Sequence, residues 1–240
     1  MFTGYSNIGR GQLGFKKIKR IYKLNFIGIG ELLIMKKEIS PIEMYLKLMY
    51  EFRERTIVVG LMCNNMYRVK KSGNVFEIEN ICLQMRKLLE LIAMSSLVMN
   101  RKAFEKAEKS FQTMWNAKLI LKDIKHIHPQ FFPMSISGTL SKDENGCWVM
   151  DEITHEPLTE ETFCKIYDKC GAALHIQNPF SENKQLFNEL WDKIPIWLDK
   201  IYLTMEKHMV FLYGTDLAYA VQFNGLSTDK NITYTLCKKK

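Results

Sequence analysis

No run of about 18 uninterrupted apolar residues occurs in this 240-residue chain, so no transmembrane helix is expected. None of the six cysteines (Cys63, Cys82, Cys147, Cys164, Cys170 and Cys237) has CxxC spacing. HExxH and HxE…CxxC patterns are missing as well, so the usual sequence signatures of zinc are absent. There are no internal repeats and no long linker. The thiols read as reduced, with Cys82 as a small hydrophobe inside an apolar helical pattern, and no secretory signal is apparent. A cytoplasmic protein is expected. At 28.2 kDa, with 47% hydrophobic and 25% charged residues, the composition is that of a globular chain with a sizeable core. It excludes disorder throughout, a collagen-like chain and a disulfide-dense miniature scaffold.

The formal net charge of +8 invites a nucleic-acid reading, but its distribution weakens it. Residues 1–34 hold six basic residues against Glu31, net +5. Residues 35–240 hold 28 basic and 25 acidic residues, net +3, and Lys238, Lys239 and Lys240 supply three of those basic residues. Residues 1–34 show neither helical periodicity nor strand alternation and contain six glycines. Met35-Lys36-Lys37-Glu38 resembles a bacterial start, and Gly30-Glu31 would be encoded in the form of a ribosome-binding site three codons upstream. Two expectations stand side by side: translation begins at Met35, or 1–34 is a basic arm for RNA or a membrane surface. The segment 35–240 reads as a single mainly helical domain.

Ser40-Pro41 with Glu43 marks a helix start, and a helix is expected over 41–62 with Met44, Leu48, Phe52 and Val59 apolar. A central helix is expected over 75–99, with Val75, Ile78, Cys82, Met85, Leu89, Ile92 and Ser96 on one face. A third is expected over 101–126, ending before His128-Pro129. A hairpin follows, with strands 135–141 and 147–152 about Asn145-Gly146. Thr159 caps a helix to about Cys170, where Gly171 either breaks it or is a close-packing point inside it. A helix over 184–208 contains Pro195, and a meander closes the chain with strands at 209–213, 217–224 and 232–237. The expected fold is mainly α: a bundle of about five helices with a small hairpin and a C-terminal β-meander.

Few residues suggest chemistry. His126 and His128 lie two apart, on different faces of a helix. Cys164, Cys170 and His175 form a loose metal-ligating set, but no metal and no cofactor is expected. Gly9-Arg-Gly-Gln-Leu-Gly14 matches GxGxxG without the strand and helix that motif requires. On the central helix, Glu79, Arg86 and Glu90 share one stripe. They read either as a phosphate-facing arginine held by two carboxylates or as a structural ion-pair network. Trp115 and Lys118 read as a base-stacking pair or as core and rim. The richest segment runs Tyr167-Asp-Lys-Cys-Gly-Ala-Ala-Leu-His-Ile-Gln-Asn-Pro179. There His175, at a helix end beside small residues, is a candidate general acid or base, or else a carbonyl cap.

That segment resembles the HEPN superfamily, helical bundles of toxins and phage-defence effectors whose signature is an Arg, four to six residues, then His. His175 stands in the histidine position, and Cys170 or Lys169 in the arginine position. The pairing of Ile78–Glu90 with a later C-G-x-x-L-H-x-x-N-P segment also resembles a group of uncharacterised bacterial proteins. The resemblance implies a metal-independent ribonuclease in which a 2′-hydroxyl attacks the adjacent phosphate. His175, Arg86 and Lys169 would be catalytic, and Glu90, Glu79, Asn178 and Cys170 would bind. RNA would be the partner and a homodimer the working form, with no membrane involved. The alternative is a non-catalytic binding or regulatory module on a degenerate HEPN-like bundle. A third reading is an interaction protein that pairs through an edge of the meander.

Overall fold

The computed structural model describes residues 40–68, 75–102, 116–142, 148–151, 153–176, 186–226 and 231–238. The chain divides between Ile39 and Ser40, and every described residue belongs to the unit Ser40–Lys240. The expectations for 1–34, Trp115, the Asn145-Gly146 turn and Asn178 lie outside the described residues.

Helix α1 spans Pro41–Arg68. Its start is a capping box, in which the Ser40 amide donates to Glu43 Oε2 at 3.0 Å and the Glu43 amide donates to Ser40 Oγ at 3.4 Å. Tyr45, Met49, Phe52, Thr56, Val59, Cys63 and Met66 recur every three or four residues and are all buried. That stripe lies one notch round from the expected Met44 and Leu48, which are half-buried. Because Cys63 and Met66 continue it, α1 runs six residues beyond its expected end.

Helix α2 spans Val75–Met99, as expected, and thirteen of its residues are buried. It packs against α1, α3 (Ala117–Ile127), α4 (Glu160–Ala173) and α5 (Leu186–Glu206), so it forms the centre of the bundle. Of the expected helix over 101–126, residues 103–115 lie outside the described residues, and α3 begins only after Asn116. Asn116 has extended backbone (φ −78°, ψ 108°), and its side-chain oxygen accepts from the Lys118 and Leu119 amides, so α3 is capped there. Helix α4 is capped by Thr159, whose hydroxyl accepts from the Thr162 amide at 3.1 Å. It continues through Gly171, which is therefore a packing point and not a breaker. Helix α5 buries Leu186, Leu190, Ile194, Trp197, Ile201 and Met205, with Pro195 inside it.

The remaining elements are short strands: β1 (Met134–Ser135), β2 (Ser137–Lys142), β3 (Trp148–Asp151), β4 (Lys207–Phe211), β5 (Leu217–Gln222) and β6 (Thr233–Lys238). β2 and β3 form the expected hairpin. The meander is present, and its sheet is wider than expected: the antiparallel order is β1-β4-β5-β6. β1 joins through Met134 opposite Met209 and Ser135 opposite His208, a pairing too short to leave a pattern in the sequence. At the β4–β5 turn Gly214 has φ +68°, a conformation that other L-residues adopt only with strain. The fold is mainly α with a small hairpin and a meander. Among the described residues, no helix is long and apolar enough to cross a membrane.

Candidate functional site

Helix α4 is fixed at its start by two devices. Thr159 caps it, and the preceding Leu158 amide donates to the fully buried Thr204 hydroxyl of α5 at 2.7 Å. Phe163, Ile166, Tyr167, Cys170 and Gly171 then form a buried stripe that packs on α2. Phe163 is fully buried, stacks on Tyr167 (6.3 Å, 11°) and meets Phe132 edge-on at 6.2 Å. The Tyr167 ring is thereby immobilised next to Arg86 of α2.

Arg86 is closed around that ring. Its guanidinium carbon sits 3.9 Å from the Tyr167 ring centroid, a cation–π distance. Nη2 donates to Tyr167 Oη at 2.7 Å, and Nη1 donates to the Tyr167 carbonyl at 3.4 Å. Tyr167 Oη in turn donates to Glu90 Oε1 at 3.2 Å, and Arg86 Nη2 lies 3.9 Å from the same oxygen. Burial pushes the Tyr167 phenol up from its ordinary value, against the opposing pull of Arg86 and with help from Glu90. The phenol therefore keeps the proton it donates. Gly171 makes room: a Cβ there would collide with Arg86 Nη1. This is the physical reason for a glycine inside α4, where an alanine would favour the helix by about 1 kcal/mol. We expect Gly171→Ala to stabilise an Arg86→Ala background by up to about 1 kcal/mol, and to give clearly less in the wild-type chain. A double-mutant cycle by urea unfolding measures the difference. Equal effects in both backgrounds would show that Arg86 does not occupy that space.

The other predicted residues are dispersed. Glu79 is half-buried but makes no hydrogen bond or ion pair with Arg86, because seven residues along α2 separate the two by about 10 Å. Glu90, four residues on, is the carboxylate that reaches it. Lys169 lies about 200° round α4 from Tyr167 and points to α5. There its Nζ donates to Glu189 Oε2 at 2.7 Å, while Lys193 donates to Glu189 Oε1 at 2.7 Å. Those two ammonium groups hold the Glu189 carboxyl down at about 2. Cys170 is fully buried and faces Cys82 of α2; the hydrogen bond between the thiols, and then burial, push its thiol far up. A buried, protonated thiol brings no positive charge to the arginine position. His175 lies beyond the Leu174 C-cap of α4 and is exposed, its amide donating to the Ala172 carbonyl at 3.5 Å.

Lys118 is paired with Asp168 through both carboxylate oxygens (2.8 and 2.9 Å), which ties α3 to α4. His128 is buried, with Nδ1 2.9 Å from Asn100 Oδ1, while His126 is exposed; the two diverge. No group of three or more His, Cys, Asp or Glu side chains could hold a metal among the described residues. A cleft of about 230 Å³ between α1 and α2 is lined by Met62, Asn65, Phe76, Glu77, Asn80 and Ile81, none of them a predicted site residue.

Sequence reasoning missed Tyr167 as the clamp on Arg86 and missed His208. Tyr167 lies four residues before Gly171, on the stripe that also carries Phe163 and Cys170, and that spacing was the available signal. His208 is fully buried: Nδ1 donates to the Met205 carbonyl at 2.8 Å and Nε2 accepts from Tyr45 Oη at 2.5 Å. Its signal was a lone histidine close to Met205, Met209 and Val210 at the boundary between helix and strand. No family model, no curated protein and no solved structure matches this chain.

Proposed function

We propose that this chain is a non-catalytic binding or regulatory module on a HEPN-like bundle, and not a metal-independent ribonuclease. The observation that carries this reading is the closure of Arg86 by Tyr167 and Glu90. A ribonuclease of this kind needs a cation that can leave its resting partners and take the scissile phosphate. Freeing Arg86 would give up a cation–π contact of about 1 kcal/mol, leave the Tyr167 hydroxyl without its donor and take the paired charge from Glu90. Lys169, the other candidate cation, is engaged by Glu189 on a different face of α4. In this reading Arg86 sets the register of α2 against α4, and His175 at the α4 terminus belongs to an exposed recognition surface.

The test is RNA cleavage by the purified full chain with EDTA present, beside His175→Ala and Arg86→Ala. No cleavage above buffer is expected from any of the three, together with a lower unfolding midpoint for Arg86→Ala. EDTA-resistant cleavage that disappears in His175→Ala would overturn the proposal in favour of the ribonuclease. Its loss in Arg86→Ala as well, with the fold intact, would assign the phosphate to Arg86.

A further inference from the structure

The two edges of the four-stranded sheet differ. β1 is two residues long, so it offers almost no ladder to another chain. β6 is six residues long, lies at the opposite end of the strand order, and pairs along its whole length with β5 on one side only among the described residues. Natural edges are normally blunted by charge, proline or a bulge. Thr233, Tyr234, Thr235 and Leu236 are all exposed and none is charged; a lysine appears only at the last position, Lys238. Alternation puts Tyr234 and Leu236 on one face, where Tyr234 meets Tyr219 of β5 edge-on at 5.7 Å. Their relative exposures, 38% and 50%, leave apolar surface at the rim of that face. Thr233, Thr235 and Cys237 share the other face, with Cys237 buried in a small cluster of Ile136, Met209, Ala218 and Ala220.

We propose that β6 is a homodimerisation strand, pairing antiparallel with β6 of a second copy about a twofold axis at Thr235 to make one continuous eight-stranded sheet. The sequence of β6 is self-complementary for this pairing. Thr233-Tyr234-Thr235-Leu236-Cys237 reads small, large apolar, threonine, large apolar, small about its centre. A twofold at Thr235 sets each Tyr234 opposite the other copy's Leu236, Thr235 opposite Thr235 and Thr233 opposite Cys237. Opposed residues then lie on the same face, as an antiparallel ladder requires, and aromatic–aliphatic and Thr–Thr pairs are favourable ones. Lys238 of the two copies falls at opposite ends, about 20 Å apart along the strands, so the basic ends do not repel. A contact of this length belongs among the smaller interfaces, and the dimer is weak and concentration-dependent.

Sedimentation equilibrium of the full chain, with Thr235→Lys and Thr235→Glu, tests the proposal. Thr235 is exposed, so either variant keeps the fold, which circular dichroism checks. The wild-type chain is expected to dimerise as concentration rises. Each variant alone opposes like charges across the axis and should weaken the dimer about fivefold. Mixing the two variants should restore it, which misfolded variants could not do. A chain that stays monomeric at every concentration overturns the proposal. So does a dimer that neither variant weakens, which places the interface elsewhere. A monomer whose β6 amides exchange as slowly as those of β5 overturns it too, by showing that the edge is covered within one chain.

Discussion

Acidification from pH 6.5 to 4 is expected to remove about 3 kcal/mol of folding stability through His208. The imidazole is fully buried between α1, the end of α5 and the sheet. Burial pulls its pKa down to about 4, only partly opposed by the hydrogen bond to the Met205 carbonyl. Nδ1 carries the one ring proton and Nε2 accepts from Tyr45, so a second proton would put two donors face to face. Burial likewise pushes the Tyr45 phenol far up, with the Ser95 hydroxyl acting the other way, and Tyr45 remains a donor. Below pH 6.5 the unfolded chain takes a proton that the folded chain refuses. Stability therefore falls as pH falls, by about 1.4 kcal/mol per unit, until the folded pKa near 4 is passed. His128, whose pKa burial also lowers, adds in the same direction. Urea midpoints between pH 4 and 7.5 measure the slope. In the double variant Tyr45→Phe with His208→Phe the buried Tyr45–His208 pair is removed together, and the Met205 carbonyl loses its imidazole donor, a cost that does not vary with pH. That variant should be flatter than wild type by the His208 share of the slope. An unchanged slope would assign the acid sensitivity to other groups.

Phe163→Ala is expected to cost about 4 kcal/mol and to lower the melting temperature by roughly 10 °C. Phe163 is fully buried between Phe132 and Tyr167, so truncation leaves a cavity and removes two aromatic contacts at once. The consequence reaches the candidate site, because Phe163 is what holds the Tyr167 ring against Arg86. Phe163→Leu keeps most of the volume and should cost less than about 1.5 kcal/mol. Thermal melts of both variants decide the matter. A Phe163→Ala loss no larger than that of Phe163→Leu would be inconsistent with a close-packed ring stack beneath Arg86.

The elements legible in the sequence are those with strong local signals. The α2 stripe from Ile78 to Ser96 and the α5 stripe from Leu186 to Met205 stand at helical spacing, and each became a buried face. Ser40-Pro41 with Glu43, and Thr159 with the acidic first turn of α4, bring their own amide acceptors, so those starts were readable to the residue. The shift from Met44 and Leu48 to Tyr45 and Met49 on α1 was not readable. Both sets are apolar at helical spacing, and only the neighbours decide which is covered.

The candidate site was legible in part: the sequence brought Arg86 and Glu90 onto one stripe and offered Gly171 as either a breaker or a packing point. It could not show that Arg86 would be closed by Tyr167, 81 residues away, or that Lys169 would turn to Glu189. Nor could it show that Tyr45 and His208 meet across 163 residues. Local periodicity and capping report what a segment does with its own backbone, and those forces act within a turn or two. Which helices become neighbours, and at what rotation, follows from the summed packing of the described helices. By itself the sequence determined the α2, α4 and α5 helices, the start of α1, the hairpin, the meander and the stripe that carries Arg86. The tertiary structure alone decided Arg86's partners, because a guanidinium takes the acceptors and the ring that packing brings within reach, and a missing Cβ at Gly171 let it approach.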